Sequence, residues 1–135
     1  MELIDEESIR PFKSFMDEYD QSFYIRNIDK FRSLHVSDNG VVFFDNHANC
    51  DSDTYEDHEA KVANFFKNGE IGNLIRENVR VFVTGDMACI TAMLRYSSKP
   101  HPGVRTTYVL ERDSGAWKIR HMHHSFDPNE VISGA

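Results

Sequence analysis

Three of the chain's seven histidines crowd into one stretch, Trp117-Lys118-Ile119-Arg120-His121-Met122-His123-His124-Ser125-Phe126. On an extended strand alternate side chains share a face. Trp117, Ile119, His121, His123 and Ser125 would then point one way, and Arg120, Met122, His124 and Phe126 the other, unless a bulge reorders them. His-x-His on one face sets two imidazoles roughly 7 Å apart at the backbone, within reach of one zinc or iron. Asp45-x-His47 repeats the spacing. The plainer reading is that these histidines hydrogen-bond within a sheet. It is preferred, because neither spacing is specific and nothing in the sequence brings the two segments together. No metal is expected.

The same residues suit proton transfer. An imidazole or a carboxyl in an apolar cavity can move protons near neutral pH. Asp45 follows four apolar residues, Val41 to Phe44, so desolvation is expected to raise its pKa. Asp45 and His123 are the candidate catalytic residues, although an Asp in this position also commonly caps a loop. Tyr19, Tyr24 or Tyr108 could donate a hydrogen bond to an enolate-like oxygen. Anion binding is a third chemistry. Arg95 follows an almost wholly apolar run, Ala88 to Leu94, and could point into a cavity and hold a carboxylate bidentately. Arg105 is a second candidate. Both could equally reach water from strand ends.

Other chemistries leave no trace. There is no Gly-x-Ser-x-Gly elbow, no phosphate loop and no dinucleotide fingerprint, and no cofactor is expected. Cys89 reads as a small buried apolar residue. Cys50 has acidic neighbours that discourage a thiolate.

The elements that must position these groups follow from periodicity. Ile9, Phe12, Phe15, Met16, Tyr19 and Phe23 form one apolar stripe of a helix, with Ser8 as the expected cap and Pro11 in the first turn. Asn27 caps a short second helix carrying Ile28, Phe31 and Leu34. Val41 to Asp45 reads as a strand and Asn46 to Asp53 as a loop. Asp53 or Thr54 opens a third helix with His58, Val62, Phe65 and Phe66 inward, and Gly69 ends it. The period then falls to two. Strands are expected over Asn78 to Thr84, Met87 to Ser97, Val104 to Arg112 and Ala116 to Phe126, with a Pro-broken loop from Ser98 to Gly103. Helices followed by an antiparallel meander give an α+β fold, with a curved sheet wrapped on about three helices and a pocket between the layers.

At 135 residues and 15.6 kDa this is one domain, expected to span the whole chain with its core at about residues 8–127. The net charge of -7 argues against nucleic acid. The charge is uneven: residues 1–72 carry 7 Lys and Arg against 16 Asp and Glu, and residues 73–135 carry 8 against 6. The acidity therefore belongs to the helical half, and the strand half could offer a neutral or positive cavity. No apolar run is long enough for a membrane helix, and the acidic first residues do not resemble a secretion signal. Two cysteines make no disulfide framework, so a reduced, cytoplasmic setting is expected.

Three segments carry a family resemblance: Val83-Thr84-Gly85-Asp86-Met87-Ala88-Cys89-Ile90, Arg105 to Asp113, and Gly115-Ala116-Trp117-Lys118-Ile119-Arg120-His121-Met122-His123-His124-Ser125. Asn27-Ile28-Asp29 matches the start of the second helix. These residues resemble the nuclear transport factor 2-like superfamily, and within it the SnoaL-like domains and the calcium/calmodulin-dependent kinase II association domain. The resemblance implies a cone-shaped α+β barrel, often paired as a homodimer through the open sheet face, here one carrying Val79, Val81, Ile119 or their alternates. Its members include isomerases, cyclases, dehydratases and an oligomerising module. The arginine-lined pocket of the association domain maps onto Arg95, Tyr108 and His124, which implies ligand-binding roles for these three and competes with an inward His121 and His123. A ligand that is small, partly apolar and carboxylate-bearing is expected, with Tyr19 and His121 also beside it. An isomerase, cyclase or lyase and an oligomerising module are the alternatives.

Overall fold

The computed structural model describes residues 1–131. Its elements run β1 (Glu2–Leu3), α1 (Glu6–Tyr24), α2 (Ile28–Ser33), β2 (Val42–Phe44), α3 (Tyr55–Asn68), β3 (Leu74–Thr84), β4 (Met87–Tyr96), β5 (Lys99–Asp113) and β6 (Ala116–Phe126). Local sequence accounts for most of these bounds. Asn27 and Thr54 accept the backbone N–H three residues on, from Lys30 and Asp57, and so cap α2 and α3. The cap of α1 is Asp5 rather than Ser8; its carboxylate accepts the N–H of Ser8. The helix therefore starts earlier than expected, and Pro11 lies past its first turn.

The six strands form one sheet in the order β1-β3-β4-β5-β6-β2. Neighbours are antiparallel except β2, which pairs parallel to β6. The sheet curves over the helices without closing, so β1 and β2 remain as edges. The α+β cone is therefore as expected, in open form.

Two strands begin before their expected starts. β3 begins at Leu74, because a bulge between Glu77 and Arg80, with Asn78 at φ +52°, breaks the alternation that otherwise points to Asn78 as the start. β5 begins at Lys99, inside the expected loop. A second bulge interrupts the pairing of β5 with β6, where Val109 faces His121 and Leu110 faces Ile119, leaving Arg120 unmatched. These two irregularities decide which side chains face the helices.

The core lies between the sheet and α1. Phe12, Met16 and Phe31 pack against Val81, Ile90, Leu110, Ile119 and Met122. Val81 and Ile119 are thus core residues and not part of the outward sheet face. Among the described residues, no helix is long and apolar enough to cross a membrane.

Candidate functional site

A cavity of about 490 Å³ opens between the sheet and the helices α1 and α3. Its walls are largely apolar, built from Phe23, Phe43, Val62, Phe65, Leu94 and Val104. Two buried polar clusters interrupt them, and further polar residues line the mouth.

The first is Asp45 with His124. Asp45 follows the end of β2, and β2 runs beside β6, so both side chains meet on the inner face. His124 Nδ1 lies 3.7 Å from Asp45 Oδ1, with both side chains largely buried. Phe43 packs between this pair and His58: its ring stacks on His58 at 4.5 Å and meets His124 edge-on at 5.3 Å. Nε2 of His124 and Nε2 of His58 are both buried without a hydrogen-bond partner. Such atoms cost stability until something pairs with them. Burial presses the Asp45 carboxyl upward, but the nearby His124 imidazole and the Asn46 backbone N–H overcome it, and the net shift is downward. That corrects the expected rise. His58 is pushed down to about 4 by burial and by the nearby His124, so it is neutral at pH 7.

The second polar group is Arg76 on β3, with Asp20 and Tyr108. The Arg76 and Asp20 side chains, 8% and 11% exposed, form an ion pair. Arg76 Nη2 donates to the Tyr108 hydroxyl at 2.7 Å. Burial works against the Arg76 charge, yet Tyr108 and Asp20 together hold its pKa above the ordinary value. For Asp20, burial outweighs the pull of Arg76 and raises the carboxyl. Tyr19 meets Tyr108 edge-on at 5.8 Å, and burial drives the Tyr19 hydroxyl well above its usual range. Tyr96 also lines the cavity and is pushed up to about 12, by burial first and then by the charge of Asp45.

The expected site residues therefore divide. Asp45, His124, Tyr108 and Tyr19 come together around one cavity. His121, His123 and Arg95 do not. The bulge at Arg120 turns Ile119, Met122 and His124 inward and sends His121 and His123 outward. There His121 Nδ1 donates to the Val42 carbonyl at 2.6 Å, and His123 is exposed beside Phe44. They stand on the opposite face from Asp45, and no group of three metal-ligating side chains gathers among the described residues.

Arg95 is outward for a simpler reason. Its neighbour Leu94 is buried and lines the cavity, and strand side chains alternate. It is held instead by Glu77 and, bidentately, by Glu130 at 2.8 and 2.9 Å. The expectation of a bound carboxylate rested on Arg95, so that support is gone. Tyr24 accepts the N–H of Leu74 at 2.8 Å, and Arg105 donates to Ser125 at 3.2 Å. Cys50 lines the cavity, but burial and the Asp45 charge raise its pKa, which argues against a nucleophile.

The cation that sequence reasoning missed is Arg76. It falls before the expected start of its strand, and a bulge separates it from the Val79-Val81-Val83 alternation. The run Leu74-Ile75-Arg76, apolar residues leading into a cation after Gly72, was the available signal.

A search of curated proteins gives no match. Solved structures resemble the fold closely. An NTF2-like protein of unknown function from Pseudomonas putida has a TM-score of 0.73 at 18% identity, covering 96% of each chain. A calcium/calmodulin-dependent protein kinase II association domain-like protein from Thiobacillus denitrificans has a TM-score of 0.70 at 18% identity, covering 85% of this chain and 94% of that one. A ketosteroid isomerase-like protein from Shewanella frigidimarina has a TM-score of 0.66 at 15% identity, covering 83% and 92%. At these identities the likeness shows the fold. The family model described as a SnoaL-like domain matches residues 13–128. With the helices, the open curved sheet and the cavity between them, that match makes the chain a member of the SnoaL-like domain family.

Proposed function

We propose that the protein binds a small, largely apolar molecule in its cavity and that Asp45 with His124 moves a proton on it. The observation that carries this reading is the buried Asp45–His124 pair on the wall of a largely apolar cavity. An imidazole is suited to accept and return a proton near neutral pH, and a carboxylate beside it stabilises the charged form. The unpartnered Nε2 of His124 gains a partner when a ligand group arrives. Tyr108 supports the same chemistry from another part of the wall. Its oxygen already accepts from Arg76, so its own proton is free for an oxygen on the ligand.

A neutral ketone with acidic C–H bonds reports on this without knowledge of the natural substrate. In heavy water the protein is expected to speed exchange of the α-hydrogens of β-tetralone, read by NMR. His124→Ala and Asp45→Asn are each expected to cut the added rate by about 10²-fold or more. Exchange no faster than in buffer alone would remove the proton-transfer half of the proposal and leave binding. Equal rates in wild type and both variants would remove these two residues.

A further inference from the structure

Arg76 is the most deeply buried cation on the cavity wall, and its charge is already matched. Asp20 pairs with it from α1 and does not itself line the cavity. The ion pair therefore turns its guanidinium toward the ligand space and keeps its carboxylate behind. The other buried charge on the wall, Asp45, faces His124, and the rest lie toward solvent. Lys61 is drawn onto Asp57 at 2.9 Å, and Glu70, Lys99 and His101 are exposed, where water screens them.

An anion entering such a cavity loses its hydration, which costs several kcal/mol in a real protein interior. An unmatched buried arginine would offset that loss; a matched one offers only the positive end of a dipole. A neutral molecule loses far less and still receives the Tyr108 hydrogen bond.

We propose that Asp20 sets the ligand's charge: by neutralising Arg76 from behind, it makes the cavity select neutral molecules over carboxylates and sulfonates of the same shape. The inference rests on the binding half of the proposed function and adds a specificity-determining residue that never touches the ligand.

Two fluorescent probes separate the cases. Phenylnaphthylamine is neutral; anilinonaphthalene sulfonate is the same ring system with a fixed negative charge. Wild type is expected to bind the neutral probe at one site and the sulfonate at least about tenfold more weakly. Asp20→Asn keeps the shape and unmasks Arg76, so the preference should move toward the sulfonate by about tenfold or more. Thermal melting checks that the variant folds. Asp20→Ser, which leaves room for water beside the guanidinium, is the second variant. General destabilisation would weaken both probes together, whereas the proposal requires their ratio to move. If wild type binds the sulfonate as tightly as the neutral probe, the inference is wrong whatever the variants do. A ratio unchanged in a folded variant also overturns it. Failure of wild type to bind either probe would instead count against the cavity as a binding site, and the inference would fall with it.

Discussion

Replacing Arg76 by methionine is expected to destabilise the protein by about 3–5 kcal/mol, because it strands a buried carboxylate. Asp20 is 8% exposed, and its Oδ1 already lacks a partner. Without Arg76 its other oxygen loses its donor too, and the Tyr108 hydroxyl loses the guanidinium that braces it. The penalty has a pH signature. Burial already raises the Asp20 carboxyl, and loss of Arg76 raises it further. A carboxyl raised in the folded state contributes stability below its unfolded pKa and loses it as pH rises through the folded value. The gap between the variant and wild type should therefore narrow when the pH is lowered from neutrality. Urea unfolding measures this as a lower midpoint with an unchanged slope. Combining Arg76→Met with Asp20→Leu should restore most of the loss, since an apolar pair replaces a buried ionic one at little net cost. A single variant within about 1 kcal/mol of wild type, the ordinary cost of a point substitution, would mean that the pair is solvated in solution.

Acid should destabilise the wild-type protein through two histidines that the fold keeps neutral. Burial, slightly countered by the hydrogen bond to the Phe31 carbonyl, holds His35 down to about 3. Burial and the charge of His124 hold His58 down to about 4. In the unfolded chain both titrate near 6.5. A depressed imidazole means that the unfolded state binds more protons. The contribution is complete above pH about 6.5 and is lost progressively as pH falls toward about 4 and 3. Each histidine is worth a few kcal/mol over that range, on the order of 1.4 kcal/mol per unit of difference. Unfolding midpoints measured from pH 8 to pH 4 should fall steeply, and a His35→Leu, His58→Leu double variant should flatten the curve. The two imidazoles meet edge-on at 5.8 Å in the cluster around Phe31 and Tyr55, so the double variant is more informative than either single one. Parallel curves for wild type and the double variant would place the acid sensitivity elsewhere.

Much of the fold was legible because its signals are local. The apolar stripe of α1, the side-chain caps Asn27 and Thr54, and the Gly85-Asp86 and Ser114-Gly115 turns each follow from a few adjacent residues. The site was only half legible because it depends on the parity of side chains along strands, and one bulge reverses that parity. His123 and His124 differ by one position, and the bulge at Arg120 decides that His124 faces the cavity. For a related reason the sequence points to Arg95 and hides Arg76. In the register of β3 with β4, Ile75 faces Arg95 and Arg76 faces Leu94, so the two cations occupy neighbouring rungs on opposite faces. The run from Ala88 to Leu94 is almost wholly apolar on both faces and hides the alternation that would show Arg95 to be outward. The resemblance groups Tyr108, His124 and Arg95, whereas the structure puts Tyr108 and His124 on the cavity wall and Arg95 on the opposite face. Asp20 left no signal in the sequence: it sits on a helix among acidic neighbours, and only tertiary packing sets it against Arg76.

The proposed ligand site is the inner face of the sheet and not its histidine-bearing outer face. The most direct measurement is NMR of the imidazole protons while phenylnaphthylamine is titrated into the protein. Shifts are expected at His124 and His58 on the cavity wall, with His121 and His123 unmoved. Shifts at His121 and His123 with the inner pair silent would contradict it and move the binding surface to the outside of the sheet.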